Sequence, residues 1–159
     1  MKSVALLLSI LLLCSGCNRQ APTATDLMAK LLAPADTPAV RIYFNGASAE
    51  DSGYLSREEC LSLYAGQNPA ALSDEFAIAL CKDDRIYEIH LYHALDAEKA
   101  EAIESCLRQR QTLLLKQDNY FYDPDHSAAA SVVWKKGKWV CLLVTHDNER
   151  AMECLRGAI

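Results

Sequence analysis

The spacing of apolar residues changes several times along the chain, and each change predicts an element. Val4 to Cys14 is an apolar run broken only by Ser9, and after Cys17 the chain turns polar at once. Beyond Thr25, Leu27, Met28, Leu31 and Leu32 recur at helical spacing, and Pro34 and Pro38 close that helix. Val40 to Phe44 alternates and predicts a strand stopped by Asn45-Gly46. Ser56-Arg57-Glu58-Glu59 is a capping box, with Leu55 and Cys60 at the two staple positions. The helix it opens should end at Gly66, where a left-handed cap fits.

Two hairpins follow. The runs EFAIALCK and RIYEIHLYHA flank Asp83-Asp84. With those two residues as the loop, Leu80 faces Tyr87, Ile78 faces Ile89 and Phe76 faces Leu91, all on a core face. Glu75, Ala77, Ala79, Cys81, Ile86, Glu88, His90 and Tyr92 then share the other face. Asp96 caps a long helix whose buried stripe is Ala100, Ile103, Leu107 and Leu114, with Cys106 on its flank and Arg108, Arg110 and Lys116 toward its end. Residues 117–127 read as a loop around Tyr122-Asp123-Pro124. The second hairpin turns at Lys136-Gly137, placing Trp134 opposite Trp139, beside Val132 and Cys141; Val133, Val140, Leu142 and Val144 take the reverse face. Asp147 or Asn148 caps a last helix carrying Ala151, Met152, Leu155 and Ile159. The order α-β-α-β-β-α-β-β-α predicts an α+β fold. Its antiparallel sheet is built from two β-hairpins, each followed by a helix, with an extra N-terminal helix and strand and the helices on one side of the sheet. Residues 25–159 form one domain.

The leader has the three parts of a secretory signal: Lys2, the apolar run and a small-residue step at Ser15-Gly16. The run is too short for a spanning helix of about 20 residues. Ser15-Gly16-Cys17 matches the cleavage box of bacterial lipoproteins, although Cys14 stands where leucine is usual. Residues 1–16 are therefore expected to be a signal peptide and residues 17–24 a lipidated cysteine with a polar tether. The protein would be extracytoplasmic, held on the cell membrane by the acyl chains of a diacylglyceryl group on Cys17. A redox pair of Cys14 and Cys17 would need a folded domain around it, and a zinc site would need further ligands that do not follow.

Charge narrows the partners. The chain carries 16 Lys and Arg against 21 Asp and Glu, and loss of the leader removes Lys2. No basic run exists, so nucleic acid is not expected as a partner. Cys60, Cys81, Cys106, Cys141 and Cys154 follow the leader. They read as buried free thiols or as up to two disulfides, with Cys81–Cys141 and Cys106–Cys154 as the possible pairs.

The stretches YEIHLYHALDAEKAEAIESCLRQRQTLL, FYDP and SVVWKKGKWVCLLVTHDNERA resemble a family of small lipoproteins from gut Firmicute-type Gram-positive bacteria, a domain family of unknown function. The resemblance spans roughly residues 25–158 as well as the lipid signal. It rests on a pattern of strand, long helix ending in Arg108 or Arg110, Tyr122-x-Pro124 turn, glycine-turn hairpin and short helix. It implies a lipoprotein with one α+β domain and supplies no reaction. A secondary implication is a place beside membrane acyltransferases that act on surface glycans.

Chemistry is sparse. His90 and His93 are three apart on a strand and point to opposite faces, so they cannot share an ion. Asp123-Pro124-Asp125-His126 reads as a solvated turn. No nucleophile elbow, phosphate loop, dinucleotide fingerprint or metalloprotease motif is present, and no catalytic residue, metal or cofactor is assigned. The second hairpin is apolar on both faces. That leaves two readings: the N-terminal helix or the residue 46–70 segment covers this face and makes the tryptophans core, or the face is open and Trp134, Trp139, Tyr92, His90 and Glu88 form an aromatic platform binding an envelope protein or a small ligand. The expected function is a non-enzymatic binding or interaction domain of the cell envelope. The alternatives are an accessory or enzyme of envelope glycan modification, tested at His90 and His126, and a structural spacer.

Overall fold

The Thr23 hydroxyl accepts a hydrogen bond from the Asp26 amide at 3.1 Å, and the Asp26 carboxylate accepts from the Thr23 amide at 3.2 Å. This capping box starts α1 (Ala24–Leu31), whose Ala24, Leu27, Met28 and Leu31 are buried. A computed structural model describes residues 21–51, 53–83, 85–117 and 127–159. The leader, Cys17, the Tyr122-Asp123-Pro124 turn and the Asp123–His126 group lie outside the described residues.

β1 (Val40–Phe44) follows, then α2 (Arg57–Ser62), a short 3-10 turn (Pro69–Leu72), and the hairpin of β2 (Ser73–Cys81) and β3 (Glu88–Ala94). The long α3 (Ala97–Gln117), the hairpin of β4 (Val132–Lys136) and β5 (Trp139–Val144), and α4 (Asn148–Ala158) complete the chain. The five strands form one antiparallel sheet in the order β1-β2-β3-β5-β4.

Sequence signals set several boundaries. Ser56 and Glu59 form the expected capping box, and the staple residues Leu55 and Cys60 are both buried. α2 is shorter than its pattern suggests, but Gly66, about one turn past Ser62, does take a positive φ of 86°, and its amide reaches the Leu61 carbonyl. Asp96 caps α3 through the Lys99 amide at 2.7 Å, and Asp147 caps α4 through the Arg150 amide at 2.9 Å. At the β1 edge, Ile42 donates to the Gly53 carbonyl and accepts from Leu55. Gly53 has φ 78°, and a Cβ there would lie 3.3 Å from the Val40 carbonyl, so this close approach requires glycine.

Helices cover both faces of the sheet, not one. On the first face lie Phe76, Ile78, Tyr92, Val140, Leu142 and Val144, packed under α3 through Ile103, Leu107 and Leu114 and under the 55–72 segment through Leu55, Cys60 and Tyr64. On the second lie Ala77, Ala79, Ile89, Leu91, Cys141 and Leu143, packed under α1 and under α4 through Met152 and Leu155. Both faces need apolar residues, so β3 and β5 are buried almost throughout.

The register of the first hairpin differs from the expected one by one residue. Leu80 pairs with Glu88, Ile78 with His90 and Phe76 with Tyr92. The cause is the turn. The Asp83 carboxylate accepts from the Arg85 amide and guanidinium, and Cys81 and Tyr87 close the ladder around a five-residue connection. An odd slip exchanges faces, so the six residues expected to share one face are divided between two. The second hairpin slips by two, pairing Trp134 with Cys141 and Lys136 with Trp139. An even slip preserves the faces, and Gly137 occupies the turn with φ 59°.

Among the described residues, Cys60, Cys81, Cys106, Cys141 and Cys154 are all free. Cys106 and Cys154 lie on helices against opposite faces of the sheet, and β3 separates the strands of Cys81 and Cys141. Neither pair can close a disulfide, whose Cα atoms must lie within about 7 Å.

Candidate functional site

The proposed aromatic platform does not assemble. Trp134 and Trp139 are half-buried on the second face, while Glu88, His90 and Tyr92 are buried on the first. The register slip at Asp83 separates them, and helices cover each face. His90 and His93 do point opposite ways: His90 is fully buried, while the His93 ring lies tilted against Trp139 with centroids 4.8 Å apart and meets Asp74 at 2.6 Å. Asp147 is the N-cap expected for it. Among the described residues no group of three or more His, Cys, Asp and Glu is placed to hold a metal, and no helix is long and apolar enough to cross a membrane.

The structure instead builds a row of polar side chains inside the first core. Arg110 of α3 holds the Glu88 carboxylate with two donors, one from Nε at 3.0 Å. Glu88 Oε2 also lies 2.9 Å from His90 Nε2. His90 Nδ1 meets the Tyr64 hydroxyl, which lies 2.7 Å from the Tyr92 hydroxyl. No buried side-chain nitrogen or oxygen among the described residues lacks a partner.

The charges give this row a direction. Burial raises the pKa of the Glu88 carboxyl, but His90 and Arg110 outweigh that and hold it down at about 2. Glu88 is therefore an anion and accepts only. His90 Nε2–H donates to it, and the Arg110–Glu88 pair is already neutral. Nδ1 of His90 shares a hydrogen bond with the Tyr64 hydroxyl, and the Tyr64 and Tyr92 hydroxyls share the next one. Burial pushes both phenols up, so both keep their protons.

The row ends beneath a cleft. Its volume is about 230 Å³, and α2, the 3-10 turn and β1 wall it. Tyr64, Ile78 and Tyr92 lie below it, Leu61, Pro69 and Ala70 give apolar walls, and Tyr43, Arg57 and Asn68 stand at the side. Arg57 is exposed and is, among the described residues, the one charged side chain lining the cleft. Asn68 uses its carbonyl oxygen to cap the 3-10 turn, leaving its amide N–H groups pointing out of that bond. Burial pushes the Cys60 thiol up to about 12, so it lines the cleft as an apolar group.

A second cavity, about 310 Å³, lies against the second face between the end of α1 and the start of α4, and includes Lys30, His146 and Arg150. Its histidine is engaged by Asp36 at 2.8 Å, and the buried Thr145 on its lining is bonded to Asn148 at 2.9 Å. A third, about 190 Å³, reaches Glu88 and Arg110 from the far end of the row.

Sequence reasoning identified Glu88, His90 and Tyr92 and missed Tyr64 and Arg110. A signal for Arg110 was present. Ile103, Leu107, Arg110 and Leu114 follow helical spacing, so a charged residue sits inside the buried stripe and requires a buried partner. The chain matches no protein-family model, no curated protein and no solved structure.

Proposed function

We propose that this chain is an envelope lipoprotein, held on the outer side of the cell membrane by acyl chains on Cys17, whose domain binds a small ligand in the cleft over Tyr64. One observation carries the reading. The buried polar groups satisfy one another, whereas the donors of Arg57, Tyr43 and Asn68 beside the apolar walls take part in no hydrogen bond among the described residues. Apolar walls with a few converging polar groups are the usual composition of a ligand site. The leader pattern and the Cys17 box support the anchor.

The test is a thermal-shift screen of the full chain in detergent against envelope-derived small molecules, repeated on Ala70→Trp, which fills the cleft. A ligand at about 100 times its dissociation constant adds roughly 2.7 kcal/mol, a rise of several degrees for a domain of this size. The reading expects a shift in the parent and none in Ala70→Trp. No shift across the panel favours a spacer. Mass spectrometry of the Cys17 peptide tests the anchor separately.

The row also has the order hydroxyl, imidazole, carboxylate found in activated nucleophiles, which favours a second reading, an enzyme of envelope glycan modification. The raised pKa of Tyr64 opposes a nucleophilic role. A turnover abolished by His90→Ala in a folded variant would establish this reading.

A further inference from the structure

We propose that the ligand of the Tyr64 cleft is a small ring bearing a single carboxylate; this deepens, and rests on, the cleft-binding reading above.

Size sets the first limit. About 230 Å³ is below the roughly 300–1,000 Å³ of sites for drug-sized ligands, and suits one ring with a substituent. The walls set the shape. The 3-10 turn brings Pro69 and Ala70 to one side, and the Tyr43 ring, tilted against Phe76 with centroids 5.1 Å apart, stands on another. Aromatic and proline surfaces with small residues between them accept a flat ring face.

Hydrogen-bond supply sets the chemistry. Within the row, the Tyr92 hydroxyl bonds the Tyr64 hydroxyl, which in turn bonds His90 Nδ1. Both phenols below the cleft are thus already engaged with neighbours in the row. The remaining donors are at its side: the Arg57 guanidinium, the Asn68 amide and the Tyr43 hydroxyl. Arg57 has no ion-pair partner among the described residues, whereas the neighbouring Glu59 is taken by Arg41. A guanidinium with further neutral donors on the lining of the same cleft fits a carboxylate. One cation and no second one fits a monoanion better than a phosphate dianion.

A carboxylate on a ring can belong to an aryl acid or to a sugar acid, and the test distinguishes them. The full chain in detergent is titrated calorimetrically with benzoate and with glucuronate. Each is compared with its neutral counterpart, benzamide or methyl glucoside, and phenyl phosphate is added as a dianion. The expected result is at least tenfold tighter binding of one acid over its neutral counterpart, abolished in Arg57→Gln and partly kept in Arg57→Lys. Benzoate preference identifies an aryl acid and glucuronate preference a sugar acid; either supports the proposal. Equal binding of acid and neutral ring, tighter binding of phenyl phosphate, or an acid preference that survives Arg57→Gln overturns it while leaving a cleft ligand in place. If none of the compounds binds, the proposal falls, and the cleft reading stands only if the broader screen finds a shift lost in Ala70→Trp. Arg57 is exposed at the first turn of α2, so its substitution leaves the core untouched.

Discussion

The Tyr64 phenol hydrogen-bonds Nδ1 of His90, a residue 26 positions later in the middle of the central strand. That contact ties the segment walling the cleft to the most buried part of the sheet. Tyr64→Phe keeps the ring and removes the hydroxyl, leaving His90 Nδ1 and the Tyr92 hydroxyl each without the Tyr64 partner. Unsatisfied buried groups cost about 1–3 kcal/mol each. Urea denaturation should show a loss in that range. Tyr92→Phe, at the end of the row, should cost less, and a double-mutant cycle should show that the two changes are not additive.

Acid should act on Glu88. Its folded carboxyl titrates at about 2, against an ordinary value of 4.5. The stabilisation is therefore fully present above about pH 4.5 and is lost as pH falls toward 2. The difference corresponds to something on the order of 3 kcal/mol. Stability curves from pH 6 to pH 2 should show this loss in the parent chain and a flatter profile in Glu88→Gln, which starts from lower stability.

Arg110→Met tests the same pair from the helix. It fits the apolar stripe of Ile103, Leu107 and Leu114 but leaves Glu88 buried without its cation. Removing one member of a buried pair costs about 3–5 kcal/mol. The double change Arg110→Met with Glu88→Gln should recover a large part of that loss. No recovery would mean that α3 uses Arg110 for packing alone.

The cysteines offer a chemical check. Burial raises the thiols of Cys60 and Cys141 to about 12, so neither is a thiolate at neutral pH. Iodoacetamide at pH 8 should leave both unmodified in the folded chain and alkylate both in urea, as read by peptide mass spectrometry.

Much of the fold was legible because its signals are local. Ser56, Asp96 and Asp147 fix helix starts through hydrogen bonds within three residues, whereas the first helix starts at a Thr23 cap and not near Thr25 as its pattern suggests. The alternation of Val40–Phe44 and the Gly137 turn likewise depend on near neighbours. The candidate site was not legible because it depends on parity. The Asp83–Arg85 turn adds one residue to a connection that the pattern Asp83-Asp84 suggests is shorter, and every later side chain of β3 changes face. Glu88, His90 and Tyr92 thereby move away from Trp134 and Trp139 and under α3, where Tyr64 and Arg110 arrive from distant parts of the chain. Nor does alternation reveal that both faces are covered, since a buried strand needs apolar residues on each side.

The central claim is that ligand binding belongs to the Tyr64 cleft and not to the tryptophan face. The most direct measurement is NMR of the full chain in detergent, with tyrosine rings and tryptophan indoles isotopically labelled, titrated with a compound that raises its melting temperature. The account predicts that the ring signals of Tyr43 and Tyr64 move with added ligand while those of Trp134 and Trp139 stay in place. Movement of the two indoles with the tyrosines unchanged would contradict it.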